Sequence, residues 1–219
     1  MDIYPLGHAS FKLKGKMASV VTDPYDPKVV GLKFPKHTTA DIVTISHNHP
    51  DHNFAKAVES EPGNQKIVLT GPGEYEVKGI DVVGIATFHD GNEGAQRGKN
   101  VMYKIDIDGM TVLHCGDLGH KLTEEQVEVI DNVDILLIPV GGFYTIDAAT
   151  AGDVVTQLEP SIVIPMHYNR DGLDPKAFGN LTPLANFLKV IGQETVMPLP
   201  KLKVTKDSLP QETQVVILE

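Results

Sequence analysis

The chain has 219 residues, 41% of them hydrophobic, with no tryptophan and a formal net charge of −10. That length fits one domain, or two fused halves on a shared core, and the acidic balance excludes a broad nucleic-acid footprint, which needs clustered Lys and Arg. A single cysteine, Cys115, excludes an internal disulfide; Met1–Leu6 lacks the makings of a secretory signal, and no apolar run reaches the ~18–20 residues of a bilayer span, so a cytoplasmic protein with no membrane role is expected.

Phe11-Lys12-Leu13-Lys14 alternates apolar and polar residues and predicts a strand, with Gly15 turning and Met17 to Thr22 returning. This hairpin ends at Asp23-Pro24, where proline forbids simple continuation. Tyr25 to Thr39, with several Pro, Gly and Lys residues, predicts a loop. Ile42 to Ile45 is a buried strand, and Phe54 to Glu59 a short helix stopped by Pro62-Gly63. Strands are expected at Ile67–Leu69, Tyr75–Val77 and Ile80–Ile85, the last continuing to His89. Asp90 to Asn100, with three glycines among polar residues, predicts a mobile loop whose Arg97 and Lys99 stand at a pocket rim or in solvent.

A second hairpin follows: Val101–Ile107, a turn at Asp108-Gly109, then Met110–His114. Thr123-Glu124-Glu125-Gln126 is a capping box opening a helix to about Ile130. Ile135–Ile138 is a buried strand, and Asp147 caps a helix running to Leu158. Strand Ile162–Ile164 ends at Pro165-Met166-His167. Thr182-Pro183 opens a last helix that Gly192 closes. Leu202–Thr205 and Val215–Leu218 are strand-like.

Short segments recur about 94 residues apart: hairpin then Asp23 with hairpin then Asp117, and Asp41-Ile42-Val43-Thr44-Ile45 with Asp134-Ile135-Leu136-Leu137-Ile138. Lys66-Ile67-Val68-Leu69 and Ser161-Ile162-Val163-Ile164 repeat the pattern. The echo predicts two similar halves, about 1–98 and 99–219, each sheet covered by helices on one face and packed against its partner on the other.

The chemistry concentrates in His47-Asn48-His49-Pro50-Asp51-His52, which places three imidazoles and a carboxylate just past a buried strand. Imidazole binds zinc, and carboxylate suits zinc, iron or manganese. Residues two apart on extended backbone point the same way, so His47 and His49 can grip one ion, while Asp51 and His52 beyond the turn can face a second. Two ions need further ligands. His89, His114 and His167, and with them Asp117, all lie at predicted strand ends. His37 and His120 are expected at the surface, and Cys115 as a small buried hydrophobe.

The pattern His47-x-His49-x-Asp51-His52 after a buried strand resembles the signature of the metallo-β-lactamase superfamily. Gly7-His8-Ala9-Ser10-Phe11, His114-x-Gly116-Asp117, Pro139-Val140-Gly141-Gly142 and Pro165-Met166-His167-Tyr168 resemble the branch containing ascorbate-6-phosphate lactonase-like proteins and uncharacterised zinc-dependent hydrolases. The resemblance spans nearly the whole chain and implies an α/β, four-layer αββα sandwich. It implies His89 rather than His114 as third ligand of the first ion, Asp117 as the bridging carboxylate and His167 as the last ligand. The ligand sets are then His47, His49, His89 and Asp117 for one ion, and Asp51, His52, His167 and Asp117 for the other. It also makes Asp23 a hydrogen-bonding support of the metal loop. His114 is a candidate to orient Asp117. His8 lines the pocket or pins the first hairpin.

The expected activity is hydrolysis of a small ester, lactone or phosphoester by hydroxide held between two divalent ions, with zinc first and manganese or iron as substitutes. Asp51 would orient the nucleophile and shuttle a proton. Tyr144, Tyr168, Asn169 and Arg170 follow strand ends and are candidate substrate donors. His52 and Asp117, where many true β-lactamases carry other residues, argue against antibiotic hydrolysis. His49 stands where flavin-linked diiron enzymes place a glutamate. A nuclease, a mono-iron sulfur dioxygenase and a non-catalytic metal-binding module are the alternatives.

Overall fold

A computed structural model describes the chain from Met1 to Glu219. The first part contains β1 (Asp2–Gly7), β2 (Ser10–Lys14), β3 (Ser19–Thr22), α1 (Pro27–Val30), β4 (Thr39–Ala40), β5 (Ile42–Thr44), β6 (Glu59–Ser60) and β7 (Ile67–Leu69). The middle contains β8 (Gly73–Val77), β9 (Ile80–Phe88), β10 (Lys99–Ile107), β11 (Met110–His114), α2 (Glu124–Ile130) and β12 (Ile135–Pro139). There follow α3 (Ala148–Leu158), β13 (Ile162–Met166), α4 (Pro175–Phe178), α5 (Leu184–Val190), β14 (Leu202–Lys203) and β15 (Gln214–Val215). No helix is long and apolar enough to cross a membrane.

Two mixed sheets form the body, in the orders β14-β1-β2-β3-β5-β7 and β15-β13-β12-β11-β10-β9-β8. Alternation assigns their faces. Val20 and Ile42 join the core shared with the second sheet, while Val21 and Val43 point the other way, toward Phe34, Ala55 and Val58. Each sheet contains a hairpin followed by two parallel strands. In one, Val20 pairs with Ile42 and Ile42 with Ile67; in the other, Val112 pairs with Ile135 and Ile135 with Ile162.

The expected midpoint near residue 98 does not divide the sheets. β9 runs antiparallel to β10 along its whole length and carries β8 with it into the second sheet, while β14 crosses back to pair with β1. The outer layers are also unequal. Over the second sheet, α3 buries Ala151, Val154, Val155 and Leu158, the i, i+3, i+4, i+7 stripe of an amphipathic helix, and packs on α5. Over the first sheet lie loops and short turns. The helix expected at Phe54–Glu59 is a single 3-10 turn at Ala55–Ala57, and Glu59 enters β6 beside β4 instead.

The Thr123 capping box and the Asp147 cap form as expected. Thr182 does not cap α5, because its hydroxyl donates to the Gly141 carbonyl. β1 lay outside the sequence expectation, since Pro5 argues against a strand; it is tolerated at a register shift between Pro5 and Gly7. The segment after His89, expected to be mobile, is tied down. The Asp90 carboxylate accepts the N–H groups of Asn92, Gly94, Gln96 and Arg97, and the His89 N–H donates to the Gly98 carbonyl.

Candidate metal centre

The functional side chains gather where strands of both sheets end. β5 leads through Ile45-Ser46 to His47. The N–H groups of His52 and Asn53 donate to the His49 carbonyl at 2.9 and 3.0 Å, which turns the chain and brings His52 back beside His47. β9 delivers His89, β11 delivers Gly116-Asp117, and β13 delivers His167. Hydrogen bonds lock the sheets together here: Val101 N–H donates to the Ser46 carbonyl, and the Tyr103 hydroxyl is shared between the carbonyls of Ile45 and Leu69.

Asp117 is the hub. Its Oδ2 lies 3.2 Å from His89 Nε2, 3.4 Å from His167 Nε2 and 3.9 Å from His47 Nε2. Its Oδ1 lies 3.2 Å from His52 Nε2. Asp51 Oδ2 sits 3.5 Å from His52 Nε2, 4.0 Å from His167 Nε2 and 3.3 Å from His8 Nε2. The donor atoms of His47, His49 and His89 lie within 4.8 Å of one another, as do those of His8, Asp51, His52 and His167.

The donor chemistry fits metal. His47 Nε2, His52 Nε2, His167 Nε2 and Asp117 Oδ1 are buried without a hydrogen-bond partner. Buried polar atoms in native proteins are rarely left so, and four of them gathered around one space make it a candidate place for metal. The opposite ring edges explain this arrangement. Ser46 Oγ donates to Asp23 Oδ2 at 2.5 Å, so it accepts from His47 Nδ1–H at 2.9 Å. His52 Nδ1–H donates to the same Asp23 oxygen at 2.8 Å. His47 therefore presents an Nε2 lone pair inward, and His52, held from behind by Asp23, aims its Nε2 at Asp117. Asp23 also accepts the Ser46 N–H at 2.8 Å. Three donors engage its carboxylate, which stands behind His47 and His52 on the side of their Nδ1 atoms.

Burial, followed by the repulsion of His52, pulls His47 down to about 3. Burial likewise pulls His167 down to about 3, so both rings are neutral donors at pH 7. Burial also works against charge on His52, but Asp117, Asp51 and Asp23 outweigh it and hold this imidazole well above its ordinary value. Against burial, the neighbouring histidines hold the carboxyls of Asp51 and Asp117 well below the usual range.

Backbone in unusual regions brings these groups together. His8, Asp23 and His167 are non-glycine residues with φ of 55°, 40° and 53°. Left-handed backbone of this kind is costly and persists where surrounding structure enforces it. A side chain at Gly141 would strike the His167 carbonyl, and one at Gly116 would strike Ser46 and Asn100.

Asn100, absent from the sequence expectation, accepts the Asp117 N–H at 3.0 Å and donates to Thr87 Oγ1 and the Cys115 carbonyl. Ser46, which links His47 to Asp23, was also missed. A buried Asn or Ser carries no signal until its partners are known. His114 touches the backbone rather than the Asp117 side chain: its Nε2 meets the Ala9 carbonyl at 2.8 Å and its Nδ1 accepts the Gly116 N–H. His8 meets Asp51 with its ring and takes the His167 N–H on its carbonyl at 3.4 Å, and it does not line the cleft that opens onto Asp51. His37 is exposed, but His120 is half-buried and accepts the Phe88 N–H just before His89. Cys115 is fully buried and burial pushes its thiol up, which removes it as a nucleophile.

A cleft of about 360 Å³ opens onto His49, Asp51, His89 and Asp117. Val29, Ala177 and Phe178 line one side, and Gln96, Arg97 and Tyr144 complete it. Tyr144 is a wall and not a free donor, because its hydroxyl donates to the Ala177 carbonyl at 2.7 Å. Tyr168 does not reach this cleft. The strand ends at Met166, His167 takes a left-handed turn, and Tyr168 lines a small cavity with His8, His167 and Arg170. The Asn169 backbone bridges to Pro183.

Residues 2–167 match the beta-lactamase superfamily domain. A UPF0173 metal-dependent hydrolase of Thermoplasma acidophilum is 34% identical over 196 residues, covering 78% of this chain and 86% of the relative. A crystal structure from Thermotoga maritima, assigned to the Zn-dependent hydrolases of the metallo-β-lactamase superfamily, is 37% identical with a TM-score of 0.80 and covers 100% of this chain and 98% of its own. Igni18, a metallo hydrolase of Ignicoccus hospitalis, shares the fold at 21% identity, a TM-score of 0.65, and 99% and 94% coverage. With the domain match spanning most of the chain and the histidine–aspartate cluster at its strand ends, the chain belongs to the metallo-β-lactamase superfamily, among its metal-dependent hydrolases.

Proposed function

We propose that the protein hydrolyses a small ester, lactone or phosphoester with the help of two divalent metal ions held where the sheets meet. His47, His49, His89 and Asp117 would hold one, and Asp51, His52, His167 and Asp117 the other. The convergence of the unpartnered Nε2 atoms of His47, His52 and His167 around Asp117, which itself lines the cleft, carries this reading. Zinc suits the histidine-rich set, and manganese or iron suits its carboxylates. Bound ions supply water acidified toward neutral pH and an electrophile for the scissile group.

The chain's own residues do the rest. Asp51 Oδ2 is engaged by His8 and His52, which leaves Oδ1 to take a proton from the attacking water and return it to the leaving group. Val29, Ala177 and Phe178 exclude water from one wall and accept an apolar group. A cleft of about 360 Å³ lined by a single arginine favours a small substrate over a strand of nucleic acid, which needs a long basic groove.

Metal content of protein purified without chelator, read beside turnover of ester, lactone and phosphodiester panels before and after stripping, tests the reading. The expected result is two equivalents of metal and turnover that is lost on stripping and restored on refilling. One equivalent of iron would favour the sulfur dioxygenase alternative; no metal after reconstitution would refute the site.

Proton release gives a second test. Metal-free His52 carries a proton that an ion must displace, so filling its site should release about one proton near pH 7. Apparent affinity should rise about tenfold per pH unit until the pH passes the raised His52 value, and level off above it. Calorimetry in buffers of different ionisation enthalpy counts the proton. Uptake without release would mean that His52 is already neutral or is not a ligand.

A further inference from the structure

We infer that Arg97 makes this cleft selective for substrates that carry a second, anionic group, a carboxylate or a phosphate, remote from the scissile bond. The inference rests on the hydrolase reading of the same cleft and narrows its substrate class.

Arg97 is one of only two arginines in a chain of net charge −10. Such a cation is expected to find a carboxylate on its own surface, yet no acidic group lies within 4.0 Å of its guanidinium. It stands half-buried in the wall of the cleft instead. Only one protein contact engages its donors, Nη2 to the Phe143 carbonyl at 3.0 Å, and Cζ lies 5.7 Å from the Tyr144 ring centroid. A guanidinium has five N–H donors in a planar fork that matches carboxylate and phosphate. Stacking on an aromatic face orients that fork and leaves its remaining donors free.

The position is prepared. The Asp90 carboxylate accepts the Arg97 N–H at 2.7 Å, and those of Asn92, Gly94 and Gln96 beside it, so the arginine springs from a fixed loop. The same loop begins at His89, whose N–H is held by Gly98. One rigid segment therefore carries a proposed metal ligand and the anion-binding cation. At about 360 Å³ the cleft is near the small end of ligand pockets, roughly 300–1,000 Å³, and it has an apolar wall at Val29, Ala177 and Phe178. Its complement is a small molecule with an apolar body, a hydrolysable bond and a terminal anion.

The test measures binding of 3-phenylpropionate, phenyl phosphate and neutral 3-phenylpropanol to the wild type, Arg97→Gln and Arg97→Lys, all as purified with metal. Anion binding to the ions themselves is common to the three proteins and cancels. Both or one of the anions should bind about tenfold more weakly to Arg97→Gln, with partial recovery in Arg97→Lys and no change for the alcohol; the anion with the larger loss identifies the natural group. Equal loss for the alcohol, or no loss for either anion, would overturn the inference. Turnover of a neutral ester is followed in parallel. If it is equal in wild type and Arg97→Gln while the anions still bind alike, the hydrolase reading stands and the anion site falls. If no ester turns over but the tenfold difference persists, the anion site stands and the hydrolase reading falls.

Discussion

Replacing Asp117 by asparagine is expected to lower kcat/KM at least about a thousandfold, because several kcal/mol of charge stabilisation go with the carboxylate and each 1.4 kcal/mol is about a factor of ten. Four imidazoles surround this one side chain, at 3.2 to 3.9 Å. Asparagine has nearly the same shape but is neutral, and its NH₂ would point at ring nitrogens that offer lone pairs. The fold should persist, since the Asp117 backbone N–H still donates to Asn100. Kinetics, circular dichroism and metal content on the same preparation read the result. A folded Asp117→Asn protein with two ions and full turnover would remove Asp117 from the reaction.

Replacing Asp23 by alanine should act from behind the site. It leaves the Ser46 N–H, the Ser46 hydroxyl and the His52 Nδ1–H without their acceptor in a fully buried place. An unsatisfied buried donor costs about 1–3 kcal/mol, and the hydroxyl can turn elsewhere, so about 3–5 kcal/mol of stability should be lost in total. With the tautomers of His47 and His52 no longer enforced, metal affinity should fall about 10–100-fold. Against burial, His114 and His52 hold the Asp23 carboxyl below its ordinary value. Its contribution is thus complete above the unfolded value of about 3.9 and is lost as pH falls through the lower folded value. Denaturant melts at pH 7 and metal titrations measure both effects. An unchanged midpoint with unchanged affinity would show that Asp23 is a bystander.

The sequence exposes some of this and hides the rest for physical reasons. His47 to His52 is legible because its ligands are contiguous, and the strands behind it because one buried face imposes alternation. The hairpin Val101–His114 and the caps at Thr123 and Asp147 are local chemistry, and they form where local chemistry places them. Asn100 and Ser46 are not legible, since a buried amide or hydroxyl matters only through partners that folding supplies. Tyr168 is a candidate only for following a strand end, and the left-handed turn at His167 that redirects it cannot be anticipated from an imidazole in the sequence. The loop after His89 looked loose by composition. A single carboxylate, Asp90, makes it rigid by gathering four N–H groups that are scattered along six residues of chain.

The ligand candidates come from both sheets: His47, His49, Asp51 and His52 from the end of β5, and His89, Asp117 and His167 from the ends of β9, β11 and β13. An ion bound among them has its full set of contacts only while the sheets are docked. Its affinity and the stability of the sheet interface are then linked quantities, joined by mass action through the native state. Whatever pries the sheets apart, even far from the cleft, lowers occupancy of the site. Whatever fills the site resists their separation.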